Sequence, residues 1–115
     1  MKKGKKYDNG KLMYHLLPFR ELDSVVRVLT FGMKKYGEDD WKKFVLRDDN
    51  EKRYMSACLR HISEYSQRKT NDNETGEQHI SHAICCLLFV LWKENEKSCR
   101  LTRRNSISRK QKKGR

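Results

Sequence analysis

Ten consecutive apolar residues, from Ala83 to Trp92, limit the folds that are open to this chain. The run is much shorter than the roughly 20 residues that cross a bilayer as a helix. Within it, the segment 88–92 is apolar on every side of a helix. A helix of that kind has to be covered all round. Three helices of a single chain cannot easily do so, and we therefore expect a second copy of the chain to supply a partner helix.

Apolar residues at helical spacing predict three helices. The first runs from about Pro18, which suits the first turn of a helix, to Lys35 or Tyr36, and Gly37 is placed to end it. The other two cover about 51–67 and 75–96. The sequence holds a single proline and few β-branched runs, which disfavours an all-β fold. We expect an all-α fold with a three-helix body that dimerisation completes as a helical bundle.

Two segments carry no helical repeat. Residues 7–17 contain a turn signal and are expected to lie across the body as an ordered N-terminal extension. Residues 37–52 form a long connection that includes Trp41 and Phe44. Connections of that length are often functional.

The positive charge of the chain is concentrated at its two ends. The sequence has 27 Lys and Arg against 15 Asp and Glu, a net charge of +12. Residues 1–6 hold four lysines, residues 97–115 hold nine basic residues, and neither segment has an acid. The segment 7–96 has a net charge of −1. We expect one domain over 7–96, a flexible basic arm before it and a disordered basic tail after it.

Cysteine usage and the N-terminus both favour a cytoplasmic protein. No apolar segment follows the basic N-terminus, so a secretory signal is not expected. The four cysteines lack Cys-x-x-Cys spacing, and three of them fall within apolar helical patterns. Buried free thiols in a reducing cytosol explain them better than disulfide bonds.

Two pairs of residues with i,i+3 spacing are the main candidates for a chemical site. The sequence His61-x-x-Glu64 lies on the second predicted helix, and His79-x-x-His82 lies on the third. Residues three apart share a helix face. Two antiparallel helices whose pairs face each other therefore make a divalent-metal site, and these four residues are the candidate catalytic and metal-binding group.

Acids in the connection between these helices extend the candidate site. Asp72 and Glu74 offer carboxylate oxygens, the ligands that Mg²⁺ and Mn²⁺ prefer. The alternative is that the histidines are ordinary core residues whose hydrogen bonds are satisfied within the fold. The spacing alone favours a metal site only slightly over that alternative.

The end of the first helix provides a basic and aromatic region that suits a nucleotide. Lysines there can hold phosphates, and aromatic rings can stack on a base. Lysines also favour a helix C-terminus through the helix dipole, which is an ordinary structural explanation for them. The candidate substrate-binding residues are Lys34, Lys35, Tyr36 and Trp41 in this region. Arg60, which precedes His61 on the second predicted helix, is a further candidate because it could reach a phosphate, although it could equally pair with Glu64.

An ordered series of short motifs resembles one known family. The motifs are Tyr7-Asp8-x-Gly10-Lys11-Leu12, Leu17-Pro18, Phe31-Gly32-Met33-Lys34-Lys35-Tyr36-Gly37 with Trp41, Leu59-Arg60-His61, Asp72-x-Glu74-x-Gly76 and His79-Ile80-Ser81-His82-Ala83. On these residues the chain resembles the dATP/dGTP diphosphohydrolase N-terminal domain family. That family is largely phage-encoded and is similar to the all-α nucleotide pyrophosphatases of the MazG kind. The resemblance covers about residues 7–92.

The resemblance implies an all-α, dimeric, metal-dependent hydrolase. It would split purine deoxynucleoside triphosphates into monophosphate and pyrophosphate, using Mg²⁺ or Mn²⁺, and would control the nucleotide pool of a replicating phage in the bacterial cytoplasm. The metal and catalytic cluster that it implies is His61, Glu64, His79 and His82, with Asp72 and Glu74 beside it.

The chain also departs from the family pattern. Arg68-Lys69 stands where Gly-Glu is usual, and Thr75 stands where Ser is usual. A typical MazG-like enzyme carries acids at several positions where this chain has histidine.

A different interpretation is a non-catalytic, basic, helical dimer that binds nucleic acid. Its basic ends would neutralise backbone phosphates, and its histidines would be structural. No recognisable nucleic-acid-binding motif in the sequence supports it. A third interpretation combines the two, as a hydrolase that its basic ends tether to DNA or RNA.

Overall fold

A computed structural model describes residues 10–38, 40–47 and 49–113. The side chains described exclude those of Tyr36, Asp40, Arg100 and residues 102–113. The expected basic arm, residues 1–6, lies outside the described residues.

The described chain is helical and forms no β-strand. A short 3-10 helix covers Tyr14–Leu16. The four α-helices are α1 (Phe19–Tyr36), α2 (Asp40–Val45), α3 (Asn50–Ser66) and α4 (His79–Lys113). The expected all-α fold is confirmed. None of the described helices combines the length and the apolar character that a membrane span requires.

The short helix α2 lies in the connection for which the sequence predicts no regular structure. Its apolar residues Trp41, Phe44 and Val45 have i, i+3, i+4 spacing, so they share one face. Val45 is completely buried. A helix of fewer than two turns is too short to give a detectable repeat. The loop predicted for residues 37–52 is therefore wrong over this segment.

Helix α4 begins later and ends later than the predicted range 75–96. The residues before His79 form a turn of their own, which delays the start of the helix. No proline or glycine occurs between Glu77 and Lys113, so nothing in the backbone chemistry stops the helix before that point. The expected boundary at residue 97, between the domain and a disordered tail, falls inside α4.

The segment that precedes α1 adds little to the core. Every residue from Gly10 to Arg20 is exposed, and Leu12 keeps 75% of its surface accessible. The expected extension across the body therefore does not bury its apolar side chains in this part of the chain.

Helix α4 forms the wall on which the other three α-helices pack. From α1, Val25 and Val28 pack against Cys85 and make the buried cluster of the core. Beside them, the hydroxyl groups of Ser24 and Ser81 form a hydrogen bond between the same two helices. This contact fixes α1 next to the first turns of α4.

Helices α3 and α4 form an antiparallel pair, and contacts at both ends set its register. Near the start of α3, Glu51 Oε2 lies 3.1 Å from Nζ of Lys97, far along α4. Near the end of α3, His61 meets His79 in the first turn of α4. The two i,i+3 pairs of the sequence, His61 with Glu64 and His79 with His82, thus lie at the same end of the two packed helices.

All four cysteines are free, as the sequence predicts. Cys58 and Cys85 are buried, Cys86 is half-buried and Cys99 is exposed. Burial raises the pKa of the Cys85 thiol to about 12 and that of Cys86 to about 11. The two thiols are therefore held in the unreactive, protonated form.

An aromatic cluster joins α2 to α4. The ring of Trp41 lies 5.0 Å from that of Phe89 and 5.1 Å from that of Trp92, measured between centroids. Tyr54 of α3 contacts Phe89 edge-on at 4.9 Å. Close by, the buried Lys93 donates from Nζ to the carbonyl of Arg47 at 3.1 Å. Trp41 therefore acts as the anchor that holds α2 on the fold.

Replacement of Trp41 by alanine is expected to destabilise the fold. The substitution removes a large ring from packed aromatic neighbours, which costs about 3 kcal/mol in the free energy of unfolding. Urea denaturation followed by circular dichroism measures it. The matched control is Phe19→Ala, because Phe19 is 60% exposed. Equal stability of the two variants would contradict the anchoring role.

Candidate functional site

The connection between α3 and α4, residues 67–78, folds into a tight turn that closes the end of the helix pair. Asn71 and Gln78 form an isolated antiparallel bridge, and the backbone N–H of His79 donates to the carbonyl of Thr70 at 2.8 Å. Gly76 has a φ of 74°, a left-handed conformation that glycine adopts without strain. This turn fixes where the loop acids lie relative to the histidines.

Asp72 is held by the turn that it initiates. Its Oδ1 accepts the backbone N–H groups of Glu74 at 2.9 Å and Thr75 at 3.1 Å. Burial alone would raise the pKa of Asp72, but the hydrogen bonds from these two N–H groups outweigh it and leave the pKa below its usual value. The carboxylate is therefore ionised and fixed in direction at neutral pH.

A polar cleft of about 660 Å³ opens between the two helix ends and this loop. It brings together all six residues that the sequence singles out as metal or catalytic candidates, namely His61, Glu64, Asp72, Glu74, His79 and His82. The remaining lining residues are Arg60, Lys69, Asn71 and Asn73.

Three imidazoles meet at the floor of the cleft. Nδ1 of His61 lies 2.8 Å from Nδ1 of His79, and both residues are less than a tenth exposed. The ring of His82 stacks on His61, with centroids 4.6 Å apart and planes 14° from parallel. Three cationic rings at this separation would repel one another strongly.

Burial in the cleft keeps the rings of His61 and His82 in the neutral form. Burial, followed by the influence of His82 and His79, lowers the pKa of His61 to about 4. Burial likewise lowers the pKa of His82, although Asp72 nearby acts in the opposite direction. At neutral pH both imidazoles therefore hold a free nitrogen lone pair, which is the form that ligates a metal or accepts a proton.

The donor set at the floor suits a divalent cation. One nitrogen each of His61 and His79 and a carboxylate oxygen of Asp72 all lie within 4.8 Å of one another. Two facing imidazole nitrogens with an ionised carboxylate beside them are a common arrangement for holding a metal ion. The chemistry of these residues therefore fits a bound metal, whereas Glu64 and Glu74 lie farther out.

The two outer acids are already paired with lysines. Glu64 Oε2 lies 3.3 Å from Nζ of Lys69, and Glu74 Oε1 lies 2.9 Å from Nζ of Lys35 on α1. These acids contribute to the rim of the cleft and to its contact with α1.

Thr75 belongs to the site although the sequence motifs mark it only as a replacement for Ser. Its Oγ1 lies 2.7 Å from Nε2 of His82 and accepts the backbone N–H of Glu77 at 3.1 Å. This contact holds the ring of His82 in one orientation. The signal in the sequence is the spacing Asp72-x-x-Thr75, which is typical of a turn whose acid accepts backbone N–H groups.

The candidate substrate-binding residues are more dispersed. Arg60 lines the cleft, and Lys35 reaches the cleft through Glu74. Lys34 lines a smaller, neighbouring cavity, and Trp41 lies in the aromatic cluster on α4. The side chain of Tyr36 lies outside the described part of the structure.

The fold and the cleft together define an all-α protein with a histidine–carboxylate site at one end of an antiparallel helix pair. The family model for dATP/dGTP diphosphohydrolase, N-terminal, matches residues 1–101. The chain belongs to this family, as its motifs suggest.

Similarity to a curated protein supports the same family. A Salmonella phage PMBT28 protein named dATP/dGTP diphosphohydrolase is 34% identical over 94 residues, which cover 82% of this chain and 31% of the relative. This chain thus spans about a third of that relative's length. No solved structure matches the chain significantly.

The metal-free protein is expected to lose stability as the pH falls from about 6.5 to about 4, the folded-state pKa of His61. In this window the unfolded chain binds a proton at His61 that the folded chain does not, so protonation favours unfolding. The free energy of unfolding should fall by about 3 kcal/mol. Urea denaturation at a series of pH values measures the loss. A His61→Gln variant should show a flatter profile, and an unchanged profile would contradict the buried, neutral imidazole.

Proposed function

We propose that this chain carries a metal-dependent nucleotide pyrophosphohydrolase site, acting on purine deoxynucleoside triphosphates. The observation that carries the proposal is the convergence of His61, His79 and Asp72 on one point in a polar cleft. Membership of the diphosphohydrolase family and the name of the phage relative supply the substrate class. The products would be a deoxynucleoside monophosphate and pyrophosphate, and the reaction would adjust the nucleotide pool of a replicating phage.

In the proposed reaction, water adds to the α-phosphorus, the bridging P–O bond to the β-phosphate breaks, and pyrophosphate leaves. His61, His79 and Asp72 would hold the metal, which when bound supplies Lewis-acid polarisation of the phosphates. His82 is placed to take the proton of the attacking water because its pKa is lowered and Thr75 fixes its ring. Arg60 lines the same cleft and supplies positive charge to the phosphates.

The donor set also bears on which ion is used. Mg²⁺ prefers an environment made almost entirely of oxygen ligands, whereas imidazole nitrogen suits first-row transition metals. Two of the three convergent donors are imidazoles, from His61 and His79. Of the two ions expected from the sequence, we therefore propose Mn²⁺ ahead of Mg²⁺.

Replacement of His79 by alanine is expected to lower kcat for deoxynucleoside triphosphate hydrolysis by at least about 100-fold, since the charge stabilisation that a metal supplies is worth several kcal/mol. Pyrophosphate release from a panel of nucleotides, with Mn²⁺ or Mg²⁺, measures the rate. Calorimetry with Mn²⁺ alone should show weaker binding by the variant.

The matched control for this experiment is His15→Ala, because His15 lies before α1 and is exposed. The control should retain both Mn²⁺ binding and hydrolysis. Absence of pyrophosphate release from the unaltered chain with every metal and nucleotide would refute the proposed activity. Full activity of the His79 variant would instead refute the assigned site.

A second copy of the chain is the partner that we propose for the apolar face of α3 and α4. Three apolar residues on α3 and four on α4 remain 38% to 61% exposed. In an antiparallel pair both stripes lie on the same side, and a monomer rarely exposes a continuous patch of that extent. The residues of this apolar face are Met55, Leu59, Ile62, Ile84, Leu87, Leu88 and Leu91.

Charge and symmetry favour a copy of the same chain over another partner. None of the seven residues of the face is charged, so these side chains bring no like charges together when two copies, each with a net charge of +12, meet there. Two such helix pairs packed face to face make a four-helix bundle around a two-fold axis. This arrangement would cover the last open side of the apolar segment in α4.

The double substitution Leu87→Asp and Leu91→Asp is expected to convert a dimer into a monomer, because it would place buried carboxylates at the centre of the interface. Sedimentation equilibrium measures the mass. Leu12→Asp is the matched control, since Leu12 is exposed and lies far from this face in the sequence. A monomeric unaltered chain, or a double variant that stays dimeric, would refute the proposed interface.

A further inference from the structure

A second cavity, of about 250 Å³, lies on the α1 side of the cleft. Four residues of α1 form one of its walls, and two residues of the loop form the other. This cavity is smaller than the pockets that usually enclose a complete small molecule. It therefore suits one part of a larger ligand. Its lining residues are Arg27, Thr30, Phe31, Lys34, Thr75 and Glu77.

Contacts between lining residues link the side cavity to the cleft. Thr75 lines the side cavity, and its Oγ1 contacts Nε2 of His82, which lines the cleft. A second link is the ion pair of Lys35 with Glu74, which joins α1 to the cleft at the residue next to Lys34. The two spaces are therefore adjacent, which is the arrangement that a ligand of two connected parts requires.

Among the described residues, the charges of the side cavity provide one unpaired ammonium, from Lys34, and no cluster of free cations to hold a phosphate. Nε of Arg27 donates to both carboxylate oxygens of Glu77, at 3.0 and 3.1 Å, so this guanidinium is already neutralised. The carboxylate of Glu77 itself repels an anion. Lys34 forms no ion pair with the residues that the structure describes, and its ammonium is available as a single donor at the edge.

The ring of Phe31 gives the side cavity an apolar, aromatic surface. Phe31 is 37% exposed and lies one helical turn before Lys34. Aromatic rings with part of a face open to solvent stack on nucleobases regardless of sequence, and a nearby ammonium can donate to a ring nitrogen or carbonyl of the base. Trp41, one of the two aromatic residues that the sequence offers for the nucleotide, is committed to Phe89 and Trp92.

We infer that the side cavity is the subsite for the base of the nucleotide, with Phe31 as its stacking surface and Lys34 as the donor at its edge. The inference rests on the proposed function, because it places the triphosphate in the histidine cleft. It assigns the recognition of the base to α1 and the chemistry to α3, α4 and their connecting loop.

The experiment compares Phe31→Leu with Phe31→Tyr and with Phe19→Leu in the full chain. Phe19 is the matched control because it belongs to the same helix and is exposed. The probes are deoxyadenosine, deoxyguanosine and inorganic tripolyphosphate, and calorimetry in the presence of Mn²⁺ measures their affinities. Phe31→Leu should weaken deoxynucleoside binding roughly tenfold, the usual effect of losing one stacking partner.

Tyrosine at position 31 should restore deoxynucleoside binding, and Phe19→Leu should leave it unchanged. All three variants should bind tripolyphosphate as the unaltered chain does. The inference is wrong if the unaltered chain binds no deoxynucleoside, or if Phe31→Leu binds it normally. It is also wrong if tripolyphosphate binding falls in parallel, which would assign the cavity to phosphate.

These readouts separate the inference from the proposed activity. Deoxynucleoside binding needs no hydrolysis, so the expected pattern in a chain that releases no pyrophosphate would support the subsite and refute the activity. Hydrolysis by Phe31→Leu with an unaltered KM would refute the subsite and leave the activity intact.

Discussion

The antiparallel contact between α3 and α4 holds both the core and the cleft in place. The pairing of Glu51 with Lys97 at one end and the meeting of His61 with His79 at the other define a single register. A slip by one helical turn, about 5.4 Å, would separate the two Nδ1 atoms that now lie 2.8 Å apart. The packing that removes apolar surface from water therefore also assembles the candidate ligands.

The ion pairs around the cleft distinguish Asp72 from the other acids of the connecting region. Glu64, Glu74 and Glu77 each pair with a lysine or an arginine. Asp72 pairs with neither type of residue in the part of the chain that the structure describes, and its nearest basic group is Nε2 of His82 at 3.9 Å. A carboxylate that backbone N–H groups orient, without a competing cation, is suited to ligate a metal. This difference explains why Asp72 is a candidate ligand together with the two imidazoles, whereas Glu64, Glu74 and Glu77 are not.

Helical periodicity predicts the all-α fold, and i,i+3 spacing predicts which histidines face each other, because both are local consequences of helix geometry. The contact of Thr75 with His82 depends on how the connecting loop folds back onto the first turn of α4. No repeat in the sequence predicts that fold. By residue type alone, Trp41 could stack on a nucleotide or pack in the core equally well. Only the position of α4 shows that its ring packs against Phe89. Tertiary contacts decide between such alternatives, so the sequence leaves them open.

Arg68-Lys69, which departs from the Gly-Glu that the resemblance leads us to expect, affects the cleft in two ways. Arg68 has a φ of 66°, a left-handed conformation that favours glycine, so the arginine keeps the turn at some cost in strain. Lys69 places an ammonium beside Glu64 where the pattern has an acid, which raises the local charge by two units relative to that pattern. A change of this sign weakens the attraction of the cleft for a further cation and strengthens its attraction for a polyphosphate. Within the proposed function, the lysine therefore favours a site in which the two imidazoles and Asp72 would hold one metal ion and the ammonium of Lys69 would supply further positive charge.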